Sequence, residues 1–219
     1  METAEAACAW LCNPQSKVSC HYLVDERGEI VQMVGEDMRA WHAGASYWAG
    51  ETDINSRSIG IEIQNLGHLL GYSEFPKIQM EAVAALSRDI VRRNDIKPER
   101  VLAHSDVAPS RKTDPGEKFD WKLLHDRGIG LWIEPAPPSD GEAIKRDDAG
   151  DEVKALQVKL AEYGYGIEVS GLFDAKTETV VRAFQRHFRQ ARVDGRADRS
   201  TIETLCRLKA AMTQVKLSS

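Results

Sequence analysis

Ser58-Ile59-Gly60-Ile61-Glu62-Ile63 alternates strictly, with three isoleucines on one face and Ser58, Gly60 and Glu62 on the other. That period of two marks a strand with one apolar side. Glu62 therefore points away from the apolar face, beside a glycine that leaves room next to it. Upstream, residues 18–24 and 29–34 are β-rich runs joined across Asp25-Glu-Arg-Gly28, a hairpin connection with its glycine near the end. Downstream, residues 78–93 carry apolar side chains at 80, 83, 86, 90 and 91, the stripe of a helix that packs on a sheet. A short helix capped by Thr3 runs through Ala6, Ala7, Trp10 and Leu11 and ends at Asn13-Pro14. Val101-Leu-Ala-His104 reads as a further short strand, and residues 105–118 as a loop punctuated by Pro109, Pro115 and Gly116. Strands interleaved with helices predict an α/β fold, a mixed central β-sheet flanked by helices.

Pro135-Ala-Pro-Pro-Ser-Asp-Gly141 has the composition of a semi-rigid linker. The expected organisation is a first domain over residues 1–134, a linker over 135–144 and a small three-helix domain over 145–212. Val153, Leu156, Leu160 and Tyr163 trace its first helix, residues 164–171 a turn region, 177–188 the second helix and 199–210 the third. No cluster of titratable residues there supports catalysis.

Composition bounds the function. With 219 residues, 42% hydrophobic and 29% charged, the chain has ordinary globular make-up. No apolar run reaches the roughly 18 residues of a membrane span. The formal charge is -5, and residues 140–219 carry 14 basic against 13 acidic residues, so the acidic excess lies before them. Neither part is a basic field that would hold a nucleic-acid backbone. Cys8, Cys12, Cys20 and Cys206 lack zinc-knuckle spacing and disulfide density. Cys8 and Cys12, four apart on a helix, are expected as buried small hydrophobes. Met1-Glu-Thr-Ala-Glu5 is acidic and shows no signal-peptide pattern.

The chemistry concentrates on a few residues. His104 and Asp114 stand ten apart, at an expected strand end and in the Pro/Gly loop after it. Their spacing leaves two readings open: a pair of zinc ligands, or a histidine that hydrogen-bonds and an aspartate that turns the chain with Pro115-Gly116. Arg111 and Lys112 border the same loop, either as cations beside a bound water or oxyanion or as a solvated basic pair. Glu62 is an acid in an isoleucine-rich strand, which calls for pairing, exposure or function as a general base. Residues 38–55, with Trp41, His42, Tyr47 and Trp48 and no regular period, have the make-up of a ligand-gripping loop. His21 and His42 are the further histidines expected to face one cleft, while His125 and His187 are expected at the surface and His68 in a loop. The G-x-S-x-G, H-E-x-x-H, Walker A and G-x-G-x-x-G signatures are absent.

Taken together, Val18-Ser-Cys-His-Tyr-Leu-Val24, Arg39-Ala-Trp-His-Ala-Gly44, Asn55-Ser-Arg-Ser-Ile-Gly-Ile-Glu62 and His104-Ser-Asp-Val-Ala-Pro-Ser-Arg-Lys-Thr-Asp-Pro-Gly116 resemble the zinc-dependent N-acetylmuramoyl-L-alanine amidases of the AmpD/AmiD type, relatives of peptidoglycan recognition proteins. Val153-Lys-Ala-Leu-Gln157, Gly171-Leu-Phe-Asp174 and Val181-Arg-Ala-Phe-Gln185 resemble a three-helix peptidoglycan-binding domain. The resemblance implies Zn2+ as cofactor with His104 and Asp114 as ligands, and peptidoglycan or a muropeptide as substrate. It gives Glu62 the activation of water, Lys112 the oxyanion, and Arg111 with the loop of Trp41, His42, Tyr47 and Trp48 the contacts to muramyl sugar and stem peptide.

One departure accompanies it. Family members carry a third ligand in a His-Tyr-Thr motif on a strand upstream of the helix that this chain reaches at Thr3. The expectations are a chain that starts inside its domain, His21 or His42 as a substitute ligand, or a zinc-free peptidoglycan-binding module without catalysis. The wall-binding segment points to the cell envelope or periplasm, with the cytoplasm as the alternative.

Overall fold

The computed structural model describes residues 3–138 and 140–218, with side chains up to residue 213. The expected linker includes Ser139 and the N-terminal reading includes Met1 and Glu2, which lie outside the described residues. The chain forms two compact units, each discontinuous in sequence: Met1–Ser46, Thr52–Pro98 and Lys118–Ile129 in one, and Tyr47–Glu51, Glu99–Glu117 and Gly130–Ser219 in the other.

The first unit is built on a mixed sheet. Strand β1 (Tyr22–Val24) is central, antiparallel to β2 (Ile30–Gln32) and parallel to β3 (Ile61–Ile63). The hairpin forms because Asp25 Oδ1 accepts from Arg27 N at 2.9 Å and Glu29 N at 2.7 Å, while Gly28 takes φ +81°. Helix α1 (Ala4–Leu11) starts at Thr3, whose hydroxyl accepts from Ala6 N at 3.1 Å. Cys8 and Cys12 on and after it are half-buried and exposed, not the buried pair expected, because only Ala7 of that helix is buried. A one-turn helix α2 (Gly67–Leu70) carries His68, expected in a loop.

Helix α3 (Lys77–Arg93) buries Met80, Val83, Ala84 and Ile90, the three larger ones each worth up to about 1.5–3 kcal/mol if fully removed from water. Gln79 on the same face is fully buried, and its Nε2 donates to Val24 O at 3.2 Å and Gln64 O at 2.8 Å. One amide thus ties the helix to carbonyls at the ends of two strands.

The runs at 18–24 and 58–63 give shorter strands than expected, for one reason. Gly60 N donates to the His21 imidazole Nδ1 at 3.0 Å, and Gly60 O accepts from His21 N at 3.1 Å. The ring takes a donor that a ladder would use, so regular pairing starts only at Tyr22 and Ile61.

In the second unit, residues 101–104 are no strand. Ala103 N donates to Asp106 Oδ2 at 2.8 Å, which caps the four-residue helix α4 (His104–Val107). The first unit closes in sequence with α5 (Trp121–Asp126). The C-terminal part of the second unit holds α6 (Asp151–Tyr163), α7 (Ala175–Phe188) and α8 (Arg199–Ser218), longer than expected, with a two-residue ribbon of β4 (Ala143–Ile144) and β5 (Ala197–Asp198). Its core is Val153, Leu156, Leu160, Val180, Phe184, Phe188, Leu205 and Leu208.

Two buried glutamines organise its turns. Gln157 Oε1 accepts from Gly171 N at 2.8 Å, and its Nε2 donates to Thr177 Oγ1 at 3.0 Å. Gln185 does the same with Gly195 N at 2.8 Å and Thr201 Oγ1 at 3.1 Å. Asp174 caps α7 through Thr177 N and Asp198 caps α8 through Thr201 N, at 2.7 and 2.8 Å. Gly171-x-x-Asp174-x-x-Thr177 and Gly195-x-x-Asp198-x-x-Thr201 are thus one device used twice.

Candidate active site

His104 and Asp114 come together. His104 Nδ1 lies 3.0 Å from Asp114 Oδ2, with the two side chains 21% and 57% exposed. Their backbones are joined as well, since Ser105 N, at the start of α4, donates to Asp114 O at 3.0 Å. Between them, Arg111 N and Lys112 N both donate to Ala108 O at 3.0 Å, a turn that doubles the chain back. Burial pushes the Asp114 carboxyl up, but the His104 hydrogen bond and charge, helped by Lys112, outweigh it and hold the group below the usual carboxylate range. Lys112 is half-buried and Arg111 exposed.

The pair suits zinc as part of a ligand set. Imidazole and carboxylate are both zinc donors, and two donors on a tetrahedral zinc stand roughly 3.4 Å apart, so an observed 3.0 Å needs an adjustment of a few tenths of an ångström. No group of three or more His, Cys, Asp or Glu able to hold a metal occurs among the described residues.

His21 does not supply the third donor. It is buried, its Nε2 donates to Met38 O at 3.0 Å, and its Nδ1 accepts from Gly60 N at 3.0 Å, so both ring nitrogens are committed within the fold. Cys20 is buried as well, its thiol donates to Tyr22 O at 3.1 Å, and burial, then the Glu62 charge, push it up to about 12.

In the first unit, Glu62 is the exposed middle residue of β3, level with Leu23 of β1. His42 lies edge-on to His21 with ring centroids 5.5 Å apart. The glycine just before β3 serves this ring: a Cβ on Gly60 would stand 2.5 Å from the His42 Cγ. His42 N and Ala43 N both donate to Asn55 Oδ1, at 3.0 and 2.8 Å, which fixes the loop that carries the imidazole. Trp41 is 54% exposed, with the Arg39 guanidinium 4.3 Å from the ring centroid. Arg39 is itself held by Asp53 at 3.0 Å and Ser56 at 2.7 Å.

Trp48, expected to contact sugar, is a core residue at 1% exposure. The tight turn Trp48-Ala-Gly-Glu51, with positive φ at Ala49 and Gly50, folds the indole inward. There it meets Tyr163 and Tyr165 edge-on at 5.2 and 5.0 Å. Its faces are spent on packing.

His187 corrects a second expectation. It is buried, and its Nδ1 donates to Asp106 Oδ2 at 2.7 Å; Tyr165 donates to Asp106 Oδ1 at 2.6 Å. Burial, then the Asp106 charge, hold the Tyr165 phenol well above its usual range. The sequence did carry a signal for this cluster: position 187 shares a helix face with Val180 and Phe184.

Known proteins give the same outline. Residues 1–117 match the N-acetylmuramoyl-L-alanine amidase family and residues 149–205 a peptidoglycan-binding-domain family. The N-acetylmuramoyl-L-alanine amidase AmiD of Escherichia coli K12 is 38% identical over 197 residues, covering 84% of this chain and 71% of the relative. Its structure with anhydro-N-acetylmuramic acid-L-Ala-D-γ-Glu-L-Lys superposes with a TM-score of 0.80 at 35% identity, over 93% of this chain and 83% of that one. The structure of AmpDh3 from Pseudomonas aeruginosa with anhydromuramic pentapeptide gives 0.77 at 30% identity, over 97% and 88%. These superpositions match a mixed sheet flanked by helices with a helical C-terminal region. No described helix is long and apolar enough to cross a membrane.

Proposed function

The chain belongs to the N-acetylmuramoyl-L-alanine amidase family and cuts the amide between N-acetylmuramic acid and L-alanine, and on that premise we propose which of its residues carry the reaction. His104 and Asp114 hold a zinc ion, completed by a donor outside that pair. The observation that supports this is their convergence at 3.0 Å, with the carboxyl kept in its charged, ligating form. Bound zinc supplies Lewis-acid polarisation of the amide carbonyl and lowers the pKa of water.

The remaining roles fall to the chain's own groups. Glu62 takes the proton of the attacking water on its carboxylate and returns it to the departing alanine nitrogen. The Lys112 ammonium donates to the carbonyl oxygen as it gains charge. Arg111, Trp41 and His42 contact the muramyl sugar and stem peptide; Trp48 does not. Residues 1–134 form the amidase part and residues 145–212 the wall-binding part, joined through 135–144. A wall-binding part implies an insoluble polymer as partner, so the protein works in the cell envelope. Solved relatives hold anhydromuramyl peptides, which makes such a peptide the substrate to assay first.

The test measures zinc content, stem-peptide release from an anhydromuramyl peptide, and co-sedimentation with peptidoglycan sacculi. Bound zinc with release that is lost in Glu62→Gln supports the assignment. Sedimentation without zinc or release would replace it with the wall-binding module, and a reporter fusion decides the compartment.

A further inference from the structure

We propose that Asp106, Tyr165 and His187 are positioning residues: through them the C-terminal part of the chain holds helix α4, and with it the His104–Asp114 pair, in ligating geometry. What the pair does rests on the amidase reading above. The clamp itself is geometric.

A four-residue helix cannot hold itself in water, so α4 owes its placement to what surrounds it. Asp106 provides the anchor. Its Oδ2 accepts from Ala103 N at 2.8 Å, which fixes the backbone directly before His104. The same oxygen accepts from His187 Nδ1 of α7 at 2.7 Å, and the other accepts from the Tyr165 hydroxyl at 2.6 Å. All of these side chains are buried, so each hydrogen bond stands without competition from water.

Two further backbone bonds close the clamp around the same helix. Tyr47 N donates to Val107 O at 2.8 Å, and Ala49 N donates to Gly164 O at 2.8 Å, with the Trp48 indole seated between Tyr163 and Tyr165. Because Ser105 N also binds Asp114 O, a displacement of α4 moves both candidate ligands together. A metal must meet both donors at once, so a shift that turns the helix away weakens ligation. His187 and Asp106 are no second catalytic pair, since at 2% and 0% side-chain exposure neither can reach a substrate. Their role runs through His104.

The experiment uses the full chain with Tyr165→Phe, His187→Leu and His187→Asn, the last keeping an amide N–H near the place of Nδ1. The first readout is the imidazole 1H–15N correlation of His104 in the metal-free protein. Zinc affinity by chelator competition, kcat and KM on a soluble anhydromuramyl peptide, sacculus sedimentation and thermal melting follow.

The expected result is a displaced or broadened His104 signal in Tyr165→Phe and His187→Leu, with zinc affinity lower by about 10–100-fold. In both, kcat falls while KM stays within about twofold. His187→Asn recovers most of the loss, and sedimentation is unchanged. If the His104 signal and zinc affinity stay at parental values while melting temperature drops, the cluster is merely structural and the proposal is overturned. If the parent takes up no zinc and releases no peptide, the amidase reading falls, and the His104 signal alone decides the clamp.

Discussion

Two histidine–aspartate pairs share the second unit and have opposite surroundings. His104 and Asp114 meet at 3.0 Å with 21% and 57% of their side chains exposed; His187 and Asp106 meet at 2.7 Å with 2% and 0%. The chemistry of the two pairs is the same. An exposed pair can trade its mutual hydrogen bond for a metal or water at little cost, because solvent compensates whichever group is released. A buried pair has no such exchange, and removing either partner strands the other. Exposure, then, separates the pair proposed to hold the metal from the one that is walled into the fold.

Asp106→Ala tests the buried member and carries the largest expected effect. It leaves the donors of His187 and Tyr165 without their acceptor in a dry interior, and should lower the unfolding free energy by about 3–5 kcal/mol in urea titration. A loss under about 1 kcal/mol would mean that water reaches the site and that the contrast is false. Asp114→Ala should invert the pattern, with unfolding free energy changed by less than about 1 kcal/mol. Its cost falls on catalysis: peptide release should drop by about 100-fold or more, roughly 2.7 kcal/mol of barrier. A large stability loss with intact turnover would make the exposed pair architectural after all.

Gly164→Ala probes the wall of the buried cluster. Gly164 has φ +143°, and a Cβ there would stand 2.6 Å from the Trp48 ring. The indole has Tyr163 and Tyr165 around it and little freedom to retreat, so overpacking should cost about 1–3 kcal/mol. Calorimetry of the variant checks this, and an unchanged transition would show that the aromatic cluster is loosely packed.

The two pairs also differ in how far the sequence betrays them. His104 and Asp114 are legible because a ten-residue loop with Pro115 and Gly116 brings its own ends together, and local spacing reports local geometry. The alternation at residues 58–63 and the stripe at 78–93 are legible on the same ground. Asp106 meets residues 59 and 81 positions away, which no local period records. Residues 101–104 read as a strand because Val101, Leu102 and Ala103 are apolar, yet the bond from Ala103 N to Asp106 turns the segment into a helix cap. Trp48 reads as a loop aromatic, and only the partners Tyr163 and Tyr165, far along the chain, make it core. Gly60 lies between these cases: the alternation shows that space is kept beside Glu62, and only the structure shows the His42 ring filling it.

The smallest expected effect is the pH dependence of the exposed pair in the metal-free protein. The folded Asp114 carboxyl titrates below its unfolded value of about 3.9, so the pair's stabilisation is fully present above that pH and is lost as pH falls through the lower folded value. Screening by solvent keeps it under about 1 kcal/mol. The check is the difference in unfolding free energy between the parent and Asp114→Asn, measured in urea from pH 7 down to pH 2. A difference that is small and constant to about pH 4 and then shrinks toward zero identifies a solvent-compensated ion pair. One that widens below about pH 4 would require the folded carboxyl to prefer its proton, which desolvation and not exposure brings about, and exposure would then no longer separate the two pairs.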